Sequence, residues 1–379
     1  MEAHALAAPL MVCIGTRPEA IKLAPVVQAL ERRGIPRLIV ASGQHREMLD
    51  ETLGVFNITP DIDLRLMRDR QTLAELTASA VSALDRVIAS ERPAALIVQG
   101  DTTTAMAAAL AALYQQVPVA HVEAGLRTGV LANPFPEEAN RRLLGQLATW
   151  HFCPTSACRA NLLREGVRGD SVHVTGNTVI DAALSVAGSW QRADRSPRGQ
   201  RHVLVTLHRR ESHGEILRRI SEAIARLAAR PDVHVTFPVH RSPAVRESVI
   251  PVLGADRNVT LSEPFDYATM IRHLADADLV LTDSGGLQEE APAFDIPVLV
   301  LRETTERPEG LAAGCSVLCG TDPERIFATA SALLDDTATY ARMARAENPY
   351  GDGRAAERIV GMLTDALAMP AARPAAAAI

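Results

Sequence analysis

Two α/β domains, each built on a doubly wound parallel sheet and facing a central cleft, are predicted by three features of the sequence. Its 379 residues exceed what one core sustains, since single cores stop growing at roughly 250–300 residues. Short apolar runs alternate with helix-period segments from one end to the other, the pattern of parallel strands joined by crossover helices. The runs are continuous rather than alternating, as strands buried on both faces are.

In the first series, strands are expected at Pro9–Ile14, Leu38–Ala41, Ala95–Gln99, Pro118–Val122, Trp150–Cys153 and Val172–Thr175. Helices are expected between them, at about 18–33, 44–54, 71–91, 102–115, 137–149 and 156–165. A second series has strands at His202–Thr206, Val233–Phe237, Val259–Leu261, Leu279–Thr282 and Pro297–Leu301, again separated by helical stretches. Between the two lies Ser189–Arg201, rich in Arg, Ser and Gly, which reads as a loop and places a hinge near residues 177–200. The expected domains are therefore 1–180 and 181–352, followed by 353–379, whose helix at about Gly353–Leu367 packs back on the first domain. The Ala- and Pro-rich tail Met369–Ile379 and the first eight residues are expected to fray.

Composition narrows the function. Apolar residues make up 47% and charged residues 22%, which suits a folded globular enzyme and not a disordered chain. A net charge of −6 argues against a nucleic-acid partner, which requires a basic face to displace counterions. No apolar run approaches the roughly 20 residues needed to cross a bilayer, and Met1-Glu2-Ala3-His4 lacks the positive start of a signal peptide. A cytoplasmic protein with no membrane partner is expected. The five cysteines are too scattered for a disulfide framework, and the pairs Cys153/Cys158 and Cys315/Cys319 lack a second pair of metal-ligand spacing. Buried reduced thiols and no metal are expected.

In open α/β sheets, ligands bind beyond the carboxyl ends of the strands, where loops enter helices. After the first strand, Gly15-Thr16-Arg17-Pro18-Glu19-Ala20-Ile21-Lys22 puts Pro18 in the first helical turn, Arg17 at the helix start and Lys22 about one turn in. Two cations there suit an anion, although a solvated helix start has the same composition. Later strands lead into Gly100-Asp101-Thr102-Thr103-Thr104 and His121-Val122-Glu123-Ala124-Gly125-Leu126-Arg127, each with a carboxylate at the strand end. Pro136 then opens a helix with Glu137 in its first turn. Asp101 alone could cap a helix and Glu137 could merely compensate a helix dipole. Three carboxylates converging on one sheet edge point further, because mutual repulsion raises a pKa and so poises an acid or base.

In the second series, one strand delivers Leu207-His208-Arg209-Arg210-Glu211, a plausible phosphate contact, and the next delivers Pro238-Val239-His240. Another passes through Thr282-Asp283-Ser284-Gly285-Gly286 into a helix, leaving backbone N–H groups free to meet a pyrophosphate with no side chain in the way. A tight turn is the plainer use of such glycines. Arg302 and Arg307 follow the next strand and add charge. There is no G-x-G-x-x-G after the first strand, no P-loop and no H-E-x-x-H. Gly351-Asp352-Gly353-Arg354-Ala355-Ala356 matches a dinucleotide fingerprint by letter only, since Asn348-Pro349-Tyr350 precedes it instead of a strand. No nicotinamide or other cofactor is expected, and a kinase is disfavoured.

With GTRPEAIK, QHREML, GDTTT, HVEAGLRT, PEEANR, GNTVID, HRRES, DSGGLQEEAP, TTERPEG and NPYGDGRA in that order, the chain resembles the non-hydrolysing UDP-N-acetylglucosamine (UDP-GlcNAc) 2-epimerases over residues 9 to about 368. The resemblance implies the glycosyltransferase-B fold, a homodimer, and supply of N-acetylmannosamine (ManNAc) for bacterial surface polysaccharide. It implies conversion of UDP-GlcNAc to UDP-ManNAc, with Asp101, Glu123 and Glu137 as acid/base groups and His208 assisting the departing phosphate. Arg17, Lys22, Arg141, Ser284, Gly285, Gly286 and Arg307 would bind the substrate, with Glu290 on the ribose hydroxyls. A second UDP-GlcNAc, acting as allosteric activator, would meet Gln44, Arg70, Glu137, Arg209 and His240, while Glu47 stands where some relatives have Gln. Phe265 and Met270 depart from relatives in the base-contacting loop, so no uracil contact is assigned there.

The chemistry agrees with that resemblance. The C2 proton of the sugar is not next to a carbonyl, so a base alone cannot remove it. Without a nicotinamide to oxidise the ring, loss of UDP from C1 is the remaining route, through an oxocarbenium-like state to 2-acetamidoglucal. A hydrolysing epimerase, a glycosyltransferase of the same fold and a non-catalytic sugar-nucleotide binder are the alternatives.

Overall fold

Parallel neighbours cannot be joined by a hairpin, so each strand must be followed by a connection that crosses back over the sheet. All pairings between the strands of this protein are parallel, and helices make most of the crossings. The computed structural model describes residues 8–43, 46–68, 70–188, 199–209 and 212–368. Two compact units emerge, Met1–Ala182 with Gly351–Ile379, and Ala183–Tyr350.

The first unit runs β1 (Leu10–Ile14), α1 (Arg17–Arg32), β2 (Arg37–Ala41), α2 (Arg46–Val55), β3 (Ile62–Asp63), α3 (Leu73–Glu91), β4 (Ala95–Gln99), α4 (Thr103–Tyr114), β5 (Val119–Val122), α5 (Glu137–Leu147), β6 (Trp150–Cys153), α6 (Ser156–Arg164) and β7 (Val172–Val174). Helix α7 (Thr178–Ala187) leads into the second unit, which continues β8 (Arg201–Thr206), α8 (Glu215–Ala228), β9 (Val233–Pro238), α9 (Pro243–Leu253), β10 (Val259–Ser262), α10 (Tyr267–Asp276), β11 (Leu279–Thr282), α11 (Gly285–Glu290), β12 (Val298–Val300), α12 (Pro308–Ala313), β13 (Ser316–Leu318), α13 (Pro323–Asp335) and α14 (Thr337–Ala344). The last helix, α15 (Ala355–Ala368), belongs to the first unit. It is held there by Asp181, which accepts from the N–H groups of Ala355 and Ala356, and by Glu357, which pairs with Arg32 and Arg33 of α1.

Strand order is β3-β2-β1-β4-β5-β6-β7 in one sheet and β10-β9-β8-β11-β12-β13 in the other. Both are doubly wound, and each reverses direction once, between β1 and β4 and between β8 and β11. Crevices at such reversals are where open sheets bind ligands. Strands β1 and β4 are wholly buried, as continuous apolar runs require. Helix α3 buries Leu76, Ala80, Ala83, Leu84 and Ile88 at helical spacing, and a capping box between Thr72 and Glu75 fixes its start. Filling one such Leu position contributes about 2–5 kcal/mol, by the cost of cutting it to Ala.

The predicted strands are all present, with ends shifted by a residue or so. Two further strands escaped prediction. β3 is two residues long with one of them exposed, and β13 is a three-residue edge strand; neither is long enough to show as an apolar run. All five cysteines are buried free thiols. The tail Met369–Ile379, residues 1–7 and most of the loop expected at 189–201 lie outside the described residues.

Candidate active site

At the reversal point of the first sheet, the loops after β1, β4 and β5 meet. Glu123 follows β5 and is buried, with its backbone at φ +63°. That left-handed conformation is strained for a residue with a Cβ, and such strain collects at functional sites. Its carboxylate accepts from Lys22 Nζ, Gln99 Nε2 and, at 3.3 Å, Asn177 Nδ2. Lys22 is thus paired with Glu123 at the edge of this site. Arg17, at the first position of α1, is half-buried and has no polar partner among the described residues.

Asp101 does not cap α4. Thr102 does, accepting from the Ala105 N–H at 3.0 Å, which frees Asp101 to receive Arg141 Nη2 at 2.6 Å. Its backbone carbonyl is held by Asn140 Nδ2 at 2.9 Å. The Asp101 carboxyl is raised above the ordinary aspartate range, first by burial, against the pull of Arg141, and then by the nearby Glu123 charge. Repulsion between carboxylates was the expected cause; loss of solvent is the larger one.

Glu137 is the first residue of α5, partly buried and without a polar partner among the described residues. Arg141 lies one turn further on the same helix face. The adjacent Glu138 is fully buried and structural: it accepts from the N–H groups of Thr128 and Gly129 and pairs with Arg142.

Sequence reasoning passed over Glu19. This buried residue of α1 accepts from the Gly15 N–H at 3.0 Å and the Thr102 hydroxyl at 2.7 Å, tying the loops after β1 and β4 together. Burial pushes its carboxyl up to about 7, although the hydrogen bonds pull the other way. The Thr16-x-x-Glu19 spacing marks a helix start, and Glu19 accepts from Thr16 there as well as from Gly15 and Thr102. Gln99 and Asn177 were also missed; both are neutral and carry no charge pattern.

At the reversal of the second sheet, β8 delivers His208 and Arg209, and β11 delivers Asp283. His208 Nδ1 lies 3.0 Å from Asp283 Oδ1, and the His240 ring centroid is 6.4 Å from that of His208. His240 Nδ1 is occupied by the Ser242 N–H at 3.1 Å. Ser284 caps α11 by position without a side-chain hydrogen bond. Gly285 and Gly286 do not adopt positive φ, so the tight-turn explanation fails. A Cβ on Gly285 would stand 3.8 Å from the Arg307 guanidinium, and one on Gly286 would meet nothing closer than 3.9 Å. Their small size therefore keeps space open beside a cation. Arg307 is anchored by Glu289, and the buried Glu290 accepts from the Tyr267 hydroxyl at 3.1 Å. Arg302 is buried.

Of the residues expected at a second site, Arg70 is exposed at φ +57°, Arg209 gives its N–H to Asp283 Oδ2, and His240 is exposed near His208. Gln44 and the side chain of Glu47 lie outside the described residues.

Two Rossmann-ordered parallel sheets, each presenting charged loops at its reversal point, define an α/β protein of the glycosyltransferase-B-like class. The sequence profile described as UDP-N-acetylglucosamine 2-epimerase matches residues 28–364. The chain is 46% identical over 368 residues to UDP-N-acetylglucosamine 2-epimerase of Escherichia coli (strain K12), an alignment covering 93% of this chain and 98% of the relative. It is similar to the crystal structure of UDP-GlcNAc 2-epimerase from Neisseria meningitidis bound to UDP-GlcNAc, with a TM-score of 0.84, 42% identity and coverage of 94% of this chain and 100% of that one. Acinetobacter baumannii MurG, with 15% identity, a TM-score of 0.61 and coverage of 94% and 99%, shares the fold. The chain belongs to the UDP-N-acetylglucosamine 2-epimerase family. No helix among the described residues is long and apolar enough to cross a membrane.

Proposed function

We propose that the protein interconverts UDP-GlcNAc and UDP-ManNAc by anti elimination of UDP to 2-acetamidoglucal and its re-addition, without a cofactor. A carboxylate takes the C2 proton, the C2–H electron pair becomes the C1=C2 bond, and the C1–O pair leaves with the β-phosphate of UDP. Re-addition reverses these steps with the proton arriving on the other face of C2. The reading is carried by the coupled pair Asp101 and Glu123, one with its pKa raised and the other flanked by Lys22, Gln99 and Asn177. Two carboxylates in unlike surroundings suit one proton donor and one acceptor. Glu137 is the third candidate and His208 assists the departing phosphate. Arg17, Lys22, Arg141, Ser284–Gly286 and Arg307 bind the substrate, and Glu290 takes the ribose hydroxyls. Binding of UDP-GlcNAc by the Neisseria relative supports the choice of substrate.

In this reading the enzyme does not hydrolyse its substrate. A homodimer feeds ManNAc units to surface polysaccharide, and a second UDP-GlcNAc activates it through Gln44, Arg70, Glu137, Arg209 and His240. Incubation with UDP-GlcNAc in deuterium oxide tests the reaction. Epimerisation yields UDP-ManNAc carrying deuterium at C2; free ManNAc shows a hydrolase, and unchanged substrate shows a binder or a transferase.

A further inference from the structure

A ring that assists a leaving phosphate must be held in one orientation and one tautomer. Asp283 is placed to do both for His208. Strands β8 and β11 are paired in register Thr206↔Thr282, and the two threonine hydroxyls are hydrogen-bonded at 2.6 Å, so the loops that follow start from a common base. Asp283 is fully buried, which is costly for a carboxylate unless its oxygens are engaged. Oδ2 accepts the backbone N–H groups of His208 at 2.9 Å and Arg209 at 2.8 Å. Oδ1 has no hydrogen-bonding partner among the described residues apart from its 3.0 Å approach to His208 Nδ1. One buried side chain therefore accepts from the backbone N–H of His208 and places its other oxygen beside the ring of the same residue. His240, the other nearby imidazole, has its Nδ1 turned to the Ser242 N–H and does not compete for Asp283.

We propose that Asp283 is the positioning residue of His208: it turns Nδ1–H inward, leaves Nε2 for a phosphate oxygen of the leaving UDP, and balances the charge when Nε2 is protonated. This rests on the reading that His208 acts on the departing phosphate. Burial alone would raise the Asp283 carboxyl, but His208 and the two N–H groups hold it below the usual range, so the inward group is an anion. An asparagine would still accept the two backbone N–H groups through its oxygen. Its amide would then point N–H at Nδ1, forcing the opposite tautomer.

The test compares the full-length protein with Asp283→Asn, His208→Gln and the double variant, using UDP-GlcNAc as substrate. D283N is expected to lower kcat by roughly 10²-fold or more while KM changes little. The double variant should be as slow as H208Q alone, because Asp283 acts only through the ring. In ¹⁵N-histidine NMR, the His208 signal, assigned by its loss in H208Q, should report the Nδ1–H tautomer in the parent protein and the Nε2–H tautomer in D283N. The proposal is overturned if the parent shows Nε2–H, if D283N keeps its rate, or if D283N slows H208Q by the same factor as the parent, since that is structural damage. If H208Q itself keeps its rate, the reading of His208 fails first, and that result is distinct from a slow H208Q beside a fast D283N.

Discussion

At the scale of single residues, Asp101 is pulled in two directions. Loss of solvent favours its neutral form and Arg141 favours the anion, and burial prevails. Its carboxyl thus gives up a proton less readily than an ordinary aspartate, which suits the acid/base role proposed for it. Asp101→Asn should cut kcat by about two orders of magnitude or more, with UDP affinity within a few-fold by calorimetry; an equal loss of UDP binding would make Asp101 a ligand contact instead. Glu19 gives a test by stability. Its folded pKa of about 7 stands above an ordinary 4.5, so between those values the native state keeps a proton that the unfolded chain has lost. Stability contributed by this group is complete below pH 4.5 and is lost as pH rises through 7, by at most roughly 3 kcal/mol. Glu19→Gln cannot ionise, so urea melts should show the variant gaining on the parent between pH 5 and 8; a difference that stays flat with pH would mean that Glu19 is not held neutral. Asp101, Glu123 and His208 were legible as charged residues at strand ends. Glu19, Gln99, Asn177 and Asp283 were not, because their parts depend on burial and on partners brought together by the sheets.

At the scale of elements, the turns from strand to helix carry the candidate chemistry, and strands were the easiest elements to read because burial on both faces forces continuous apolar runs. β3 and β13 show the limit: a strand of two or three residues is defined by its neighbour's hydrogen bonds and not by its own composition. The Ser284-Gly285-Gly286 turn shows how structure changes the argument. A tight turn is the plainer use of such glycines, yet neither has positive φ, and the Cβ position at Gly285 faces Arg307 at 3.8 Å. Gly285→Val should therefore fold, fill the space beside that guanidinium, and weaken UDP binding about tenfold or more, in line with the loss of a charge-assisted contact. UDP affinity equal to that of the parent would remove this turn from the phosphate site.

At the scale of the whole molecule, two sheets with the same doubly wound order were foreseeable from the alternation of elements and from a length too great for one core. The resemblance carried by ordered motifs agrees with family membership. What the chain's pattern could not give is which carboxylate serves which face of the sugar, since that depends on positions around a bound hexose. The central claim is that the bond between C1 and the phosphate oxygen breaks before C2 can invert. UDP-GlcNAc labelled with ¹⁸O in the bridge between C1 and the β-phosphorus tests it directly by ³¹P NMR. Released UDP can rotate before returning, so the label should scramble into the non-bridging β-phosphate positions as epimerisation proceeds. Epimerisation with the label still confined to the bridge would contradict the elimination.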